Sequence, residues 1–197
     1  RAQNLDLLKN FELTPVKNEE NTYTFTMKRA NAEVSANYRK LLTNTDITIN
    51  SIGGVTYTGL AQMPAVTVKD GSTILTKDVD YSVNYTDNLN AGQATVTFVG
   101  TGNYAGQVEK NFTINKADIT PTAPTAQKLT YDGTAQTLIN AGAAEGGEIQ
   151  YSLDGQTYAP ALPKGTNAGS YTVFYKVVAD ANHNNVDAKF INVPIYK

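Results

Sequence analysis

Apolar and polar positions alternate through most of the chain. In YSVNYTD, Tyr81, Val83 and Tyr85 share one face while Ser82, Asn84 and Thr86 take the other. In QATVTFVG, Ala94, Val96 and Phe98 oppose Thr95, Thr97 and Val99. In SYTVFYKVV, Tyr171, Val173, Tyr175 and Val177 form one face, and Phe174 adds apolar area to the second. Successive side chains of a strand point to opposite faces, so a period of two predicts half-buried β-strands. From Val55 onward no window of a dozen residues carries apolar residues at i, i+3, i+4 and i+7, the spacing of an amphipathic helix. Asp70-Gly71, Asp132-Gly133 and Asp154-Gly155 separate the runs as turn dipeptides, because glycine accepts the positive φ such turns need. Short strands with turn chemistry between them predict an all-β chain of sandwich type.

The pattern also repeats. VTYTGLAQ (Val55 to Gln62) matches LTYDGTAQ (Leu129 to Gln136), and Asn90-Ala91-Gly92 matches Asn167-Ala168-Gly169 at nearly the same spacing. After each NAG comes a strand, then an Asn-aromatic pair, Asn103-Tyr104 or Asn182-His183. Each copy closes on a β-rich run and a lysine, FTINK or INVPIYK. Ordered landmarks at near-constant spacing predict two copies of one module of roughly 75 residues, the scale of a small domain. The expected division is residues 1–44 as a partial N-terminal repeat, 45–117 as the first module and 118–197 as the second. ADITPTAPTAQK, with its prolines and threonines, reads as a short extended linker between separate compact modules.

VTFVGTGNYAGQ superficially resembles a phosphate-binding loop, with Gly100, Gly102 and Gly106 after an apolar run. Such a loop requires a helix whose N-terminal amides face the anion. QVEKNFTIN follows instead, with strand period, and the sister segment ADANHNN has no glycines. The stretch therefore reads as a turn.

Composition narrows the function classes. The chain has 197 residues, with 41% hydrophobic content sufficient for a packed core. A formal net charge of −2 leaves no electrostatic footprint for nucleic acid, and no apolar run is long enough to span a bilayer as a helix. Zero cysteine excludes a disulfide scaffold, a thiolate zinc site and a cysteine nucleophile. Twelve Tyr against no Trp argue against a face built on tryptophan stacking. A first residue of Arg1, with neither Met nor a signal peptide, suggests a piece excised from a longer protein.

VTYTGLAQ, DVDYSVNYTDNLNAGQATVTFVGTGNYAG and FTINK together resemble the Ig-like repeats of bacterial surface proteins known as MBG or YDG modules. The second copy resembles a sister type and carries YDG itself at Tyr131 to Gly133. NTYTFTMKRANAEVSANYRK resembles the closing strands of another bacterial surface repeat, with Lys28 where that family usually has proline. The resemblance implies tandem Ig-like antiparallel β-sandwiches after a partial N-terminal β segment, within an exported, cell-anchored and monomeric chain. It implies no catalytic, cofactor-binding or metal-binding residues. The expected role is a non-enzymatic extracellular stalk presenting adhesive or catalytic domains elsewhere in the parent chain. The alternative is an adhesin or carbohydrate-binding module that takes a glycan or a host protein.

His183, the single histidine, lies in a polar NHNN loop with no G-x-S-x-G elbow beside it, so it reads as structural. Asp78, Asp80 and Asp87 lack calcium-loop spacing, and strand alternation would set Asp87 on the face opposite the other two. Glu19-Glu20, Glu145 and Glu148 are loop carboxylates without a partner that sequence reveals. LPKGT (Leu162 to Thr166) scrambles a sorting signal and reads as a strand-to-turn passage. Tyr81, Tyr85, Tyr171 and Tyr175 belong to apolar faces, and Tyr57 and Tyr131 to module packing. Tyr23, Tyr104 and Tyr158 remain as aromatics that could face a ligand, since a tyrosine ring offers an apolar face with a polar tip. Pro194 suggests that the final strand lies at a sheet edge. NLDLLKNF could form a short helix, with Leu5, Leu8 and Phe11 near one face.

Overall fold

A computed structural model describes residues 39–197 in full, with the backbone of Val16–Lys17 and Tyr23–Thr24 before them. The helix expected in NLDLLKNF, Glu19-Glu20 and the side chain of Tyr23 lie outside the described residues. The chain is all-β, with no helix among the described residues.

Strands β1 (Val16–Lys17) and β2 (Tyr23–Thr24) form an antiparallel pair. Strand β3 (Lys40–Leu41) lies just ahead of the first module, which contributes β4 (Ile47–Ile49), β5 (Val55–Thr56), β6 (Val68–Asp70), β7 (Thr73–Ile74) and β8 (Tyr81–Thr86). It continues with β9 (Gly92–Gly100), β10 (Tyr104–Ala105) and β11 (Gln107–Asn115). The second contributes β12 (Thr125–Ala126), β13 (Leu129–Thr130), β14 (Gln136–Thr137), β15 (Ile139–Asn140) and β16 (Gly147–Ser152). It closes with β17 (Lys164–Gly165), β18 (Gly169–Ala179) and β19 (Val186–Tyr196).

The repeat inferred from sequence is a repeat of topology. Each module has a four-stranded sheet, β5-β11-β9-β8 in one and β13-β19-β18-β16 in the other, and the four strands of each sheet stand in the same order, first, fourth, third and second along the chain. In both, the first strand runs parallel to the end of the last, with Val55 opposite Ile114 and Leu129 opposite Ile195. In the second sheet the β16-β18 and β18-β19 pairs are antiparallel, and in the first module β10 makes a further parallel pair with β3. Smaller sheets complete the layers: β4-β6-β7 in the first module, and the pairs β12-β15 and β14-β17 in the second.

Alternation set the burial. Ala94, Val96 and Phe98 on β9, and Val173, Tyr175 and Val177 on β18, are buried while their neighbours are not. In the second module Leu138, Ile139, Val173, Val177, Val193 and Ile195 form one apolar cluster with Tyr151 and Ile149. Fully burying a Val, Leu or Ile side chain contributes about 1.5–3 kcal/mol, so this cluster dominates the module's stability.

The turn chemistry is visible at the expected places. Gly71 has φ 55° in the hairpin joining β6 to β7, and Gly133 and Gly155 also have positive φ. The Gly100–Gly106 stretch is a turn between strands, closed by the Gly100 amide donating to the Gly106 carbonyl at 2.9 Å. A Cβ on Gly100 would come within 2.5 Å of the Ala105 nitrogen, so tight backbone approach, with no anion involved, accounts for glycine there.

Three expectations change. Pro194 does not mark an edge, because β19 lies between β13 and β18. The reason is parity: the Tyr196 carbonyl, two residues on, accepts from Tyr131 on the β13 side, so the Pro194 nitrogen faces that side too. The parallel pairing there covers Ile195 and Tyr196 alone, and the missing N–H of Pro194 costs no ladder bond. Next, the proline-bearing stretch is extended but not free: Thr122 and Ala143 exchange backbone bonds of 2.8 and 3.0 Å, and Ile119 packs on the second module's cluster. Finally, Asp78 and Asp80 precede β8 in a turn where Asp78 has φ 65°, so strand alternation does not govern them.

The described chain gathers into two compact units. One takes the described residues up to Ser51 with Val66–Asn84 and Val96–Lys110; the other takes Ile52–Ala65, Tyr85–Thr95 and Asn111–Lys197. The dividing line thus passes through β8, β9 and β11, while the apolar cluster of the second module draws on residues from Ile119 to Ile195.

Candidate functional site

Two of the three candidate tyrosines have described side chains, and both are engaged. Tyr104, in the first unit, donates its hydroxyl to Asp70 at 3.1 Å. The same carboxyl group receives Lys40 at 2.6 Å, and Lys40 also reaches Asp46 at 3.1 Å. The Lys40 ammonium holds the Asp70 carboxyl below the usual carboxylate range, and Asp70 followed by Asp46 raises Lys40. Burial, then the bond to Asp70, pushes the Tyr104 phenol up. The group is an ion-pair clamp holding β3 to β6 and β10. In the second unit, Lys176 stands over the Tyr158 ring at 4.3 Å, so a cation already occupies that face.

The remaining tyrosines divide between core and corner. Tyr81 is buried against Phe98, and burial raises its phenol. Tyr85 packs edge-on to Phe112 and donates to the Pro64 carbonyl at 2.6 Å. The Tyr171 hydroxyl bridges the backbone of Asn167, accepting from its N–H and donating to its C=O at 3.0 Å each. Tyr131, expected as a module-packing residue, is 51% exposed.

The other carboxylates have local duties. Asp154 accepts from the Ser152 hydroxyl and from the amides of Gln156 and Thr157, which hold its carboxyl far below the usual range. Asp132 accepts from the Thr134 amide and hydroxyl and from Gln136, so it organises its own turn. Asp80 accepts from the Thr76 amide at 2.8 Å. Glu145 and Glu148 are exposed, and Lys164-Gly165 of LPKGT forms β17. Among the described residues no three His, Asp or Glu side chains converge as metal ligands.

His183 leads to the most organised polar arrangement, lying wholly in the second unit. The loop Asp180–Asn184 between β18 and β19 folds onto the end of the first module. The Ala117 amide donates to the Asn182 carbonyl at 3.0 Å and the Asn184 amide to the Ala117 carbonyl at 2.9 Å, a one-rung parallel bridge. The Asn182 side chain accepts from the Ala91 amide at 2.8 Å and donates to the Asn90 side chain at 3.2 Å. The Asn184 side chain donates to Asp118 at 2.8 Å. His183 meets the Tyr57 ring edge-on, with centroids 5.3 Å apart at 84°, and its Nδ1 lies 2.7 Å from Asp180. The contact with His183 pulls the Asp180 carboxyl below its ordinary range. The ring also lies flat against Gly146, where any Cβ would strike it. None of these partners of His183 is a serine.

The Asn-aromatic pair of the first module makes the same bridge with the segment entering that module. The Lys40 amide donates to the Asn103 carbonyl at 2.8 Å, and Tyr104 stands opposite Lys40 in parallel register. Arg39 adds bonds to the Gly102 and Gly100 carbonyls. Sequence identified both Asn-aromatic pairs as landmarks of the repeat; their use as a bridge needed the partner strand, which lies far away in the chain.

The apolar area that Phe174 adds to the second face of its strand has a neighbour on the next strand. Phe174 on β18 and Phe190 on β19 face each other on the outer side of the sheet, with centroids 6.0 Å apart, and Phe190 is 60% exposed. Their signal was present: both occupy positions that alternation assigns to polar residues. The depression lined by residues 87–93, of about 470 Å³, is made by one loop and brings no titratable groups together apart from Asp87.

Comparison of the chain with protein-family models and with curated proteins returns no match.

Proposed function

We propose that this chain is a non-enzymatic structural stretch of a bacterial cell-surface protein, an extracellular stalk built from two Ig-like modules of the MBG or YDG kind. It would hold adhesive or catalytic domains elsewhere in the parent chain away from the envelope. The observation that carries this reading is the parallel pairing of the first and last strands of the four-stranded sheet in both modules. Tension on a stalk arrives through the two ends of each module. When the strands at those ends run parallel, tension shears their hydrogen bonds together instead of opening them one at a time. The Tyr57 and Tyr131 amides extend this pairing by one bond each, to Asn115 and Tyr196. The bridge at Ala117 continues the load path into the next module. No helix among the described residues is long and apolar enough to cross a membrane.

Single-molecule force measurements test the reading. Pulled from its ends, the second module should resist with a high, sharp rupture. Pulled through cysteines placed by E148C and V178C, which are direct partners on β16 and β18, it should peel open at much lower force. Equal forces in the two geometries would remove the basis for a load-bearing stalk.

The exposed Phe190 beside Phe174 favours a second reading, an adhesin or carbohydrate-binding module. Saturable binding to a panel of mucins, polysaccharides and matrix proteins, lost in F190A and Y158A, would establish it in place of the stalk.

A further inference from the structure

The repeat makes one part of the second module readable by comparison with the first. In the first module, Tyr57, Asn90 and Ala91 receive the Asn182-His183 pair. Their counterparts in the second module are Tyr131, Asn167 and Ala168, placed alike in the sequence motifs. The backbone agrees. Gly59 and Gly133, two residues after the paired tyrosines, both have φ 79°, and Gly92 and Gly169, after the paired Asn-Ala, have φ 140° and 148°. The Tyr57 amide bonds to the Asn115 carbonyl at 2.8 Å, and the Tyr131 amide to the Tyr196 carbonyl at 2.7 Å. Lys197 therefore corresponds to Lys116, and the position after it to Ala117.

Occupancy is where the two ends differ. Tyr57 is half-buried under the His183 ring, whereas Tyr131 is 51% exposed. Ala91 N–H is bonded to Asn182, whereas Ala168 N–H and the Asn167 side chain have no partner among the described residues. Tyr196 is exposed as well.

We infer that Tyr131, Asn167 and Ala168 form a docking surface for the Asn-aromatic loop of a further module of this same kind. This rests on the reading of the chain as a structural repeat and names the partner that its second module takes. The occupant is argued from the filled copy, which shows what chemistry the surface selects. It selects an asparagine whose amide both accepts from the Ala N–H and donates to the neighbouring Asn, followed by an aromatic or imidazole ring that meets the tyrosine edge-on. The strand leaving at Lys197 would supply the parallel bridge. The use of that bridge twice in the described chain, at Lys40 with Asn103 and at Ala117 with Asn182, indicates that it tolerates different neighbouring sequence.

The test extends the full chain after Lys197 with a second copy of residues 117–197, which reproduces the spacing of the existing joint. Amide hydrogen exchange at Ala168 is the readout, and Ala91 in the same molecule is the internal standard. Docking should slow exchange at Ala168 by about tenfold or more, as closing a local opening does. It should also shift the Tyr131 ring resonances. N182A with H183A in the added copy alone should return Ala168 to its rate in the unextended chain. A second extension, residues 40–116, offers Asn103-Tyr104 to the same surface and covers the case in which the first added copy does not fold. Unchanged exchange at Ala168 in both, with Ala91 still slow, would overturn the inference. Since the strand geometry of the second module is untouched, its force response separates that outcome from failure of the stalk reading.

Discussion

The Tyr57–His183 contact is the sharpest place to test whether the loop between β18 and β19 stabilises its unit. His183 keeps only 19% of its side chain exposed, wedged between Tyr57, Asp180 and Gly146. An edge-to-face ring pair at 5.3 Å contributes about 0.5–1.5 kcal/mol beyond area burial. H183A also abandons packing against Gly146, so that variant should cost roughly 1–3 kcal/mol, and Y57A somewhat less. Both residues lie in the second unit, so urea unfolding of the single variants and the double variant at one fixed pH closes a cycle. The coupling should fall at about 0.5–1.5 kcal/mol, because each single change already removes the shared contact. Strict additivity, within roughly 0.3 kcal/mol, would mean that the rings touch without stabilising, and the loop would then be held by Asn182 and Asn184 alone.

Other expectations are simpler to check. G100A places a methyl group 2.5 Å from the Ala105 nitrogen, and backbone cannot step aside as a side chain would; thermal unfolding should show a loss of about 1–3 kcal/mol, while G53A, with open space around it, should be near neutral. L138A and V193A each empty a fully buried site in the second module, and the unfolding free energy from denaturant titration should fall by about 2–5 kcal/mol for the leucine and less for the valine. D154A strips the Ser152 hydroxyl and two amides of their acceptor, so exchange at Gln156 and Thr157 should quicken, while D154N keeps part of the protection. Stability should also fall in acid. Asp70, Asp132, Asp154 and Asp180 all have folded values below the ordinary 3.8, so what they contribute is whole above that value and is lost as pH drops through the folded ones. A melting temperature that stays flat down to about pH 2 would contradict this.

The sequence by itself determined the class of fold and carried the matched motifs from which two copies are read. Period-two alternation requires no knowledge of partners, because a strand's own geometry sends Val173, Tyr175 and Val177 to one side and Lys176 to the other. Glycine at 71, 133 and 155 is likewise local, a matter of which φ a residue without Cβ accepts. The repeat needed only self-comparison.

Pairing partners depend on distant segments, and these only the tertiary structure decided. Pro194 is a sheet-edge residue by local rule, yet β19 is central; the short reach of β13 reconciles the two. The prolines near 121–124 are linker residues by composition, but the Thr122 N–H between them donates to the Ala143 carbonyl, and Thr125 just after them pairs with Asn140. Tyr57 and Tyr131 are indistinguishable as sequence and differ in burial because one has a histidine against it. Tyr104, a free aromatic by sequence, is held by a lysine–aspartate pair drawn from two other strands. Local chemistry fixes what a residue can do, and packing between segments far apart in the chain fixes which of those things it does.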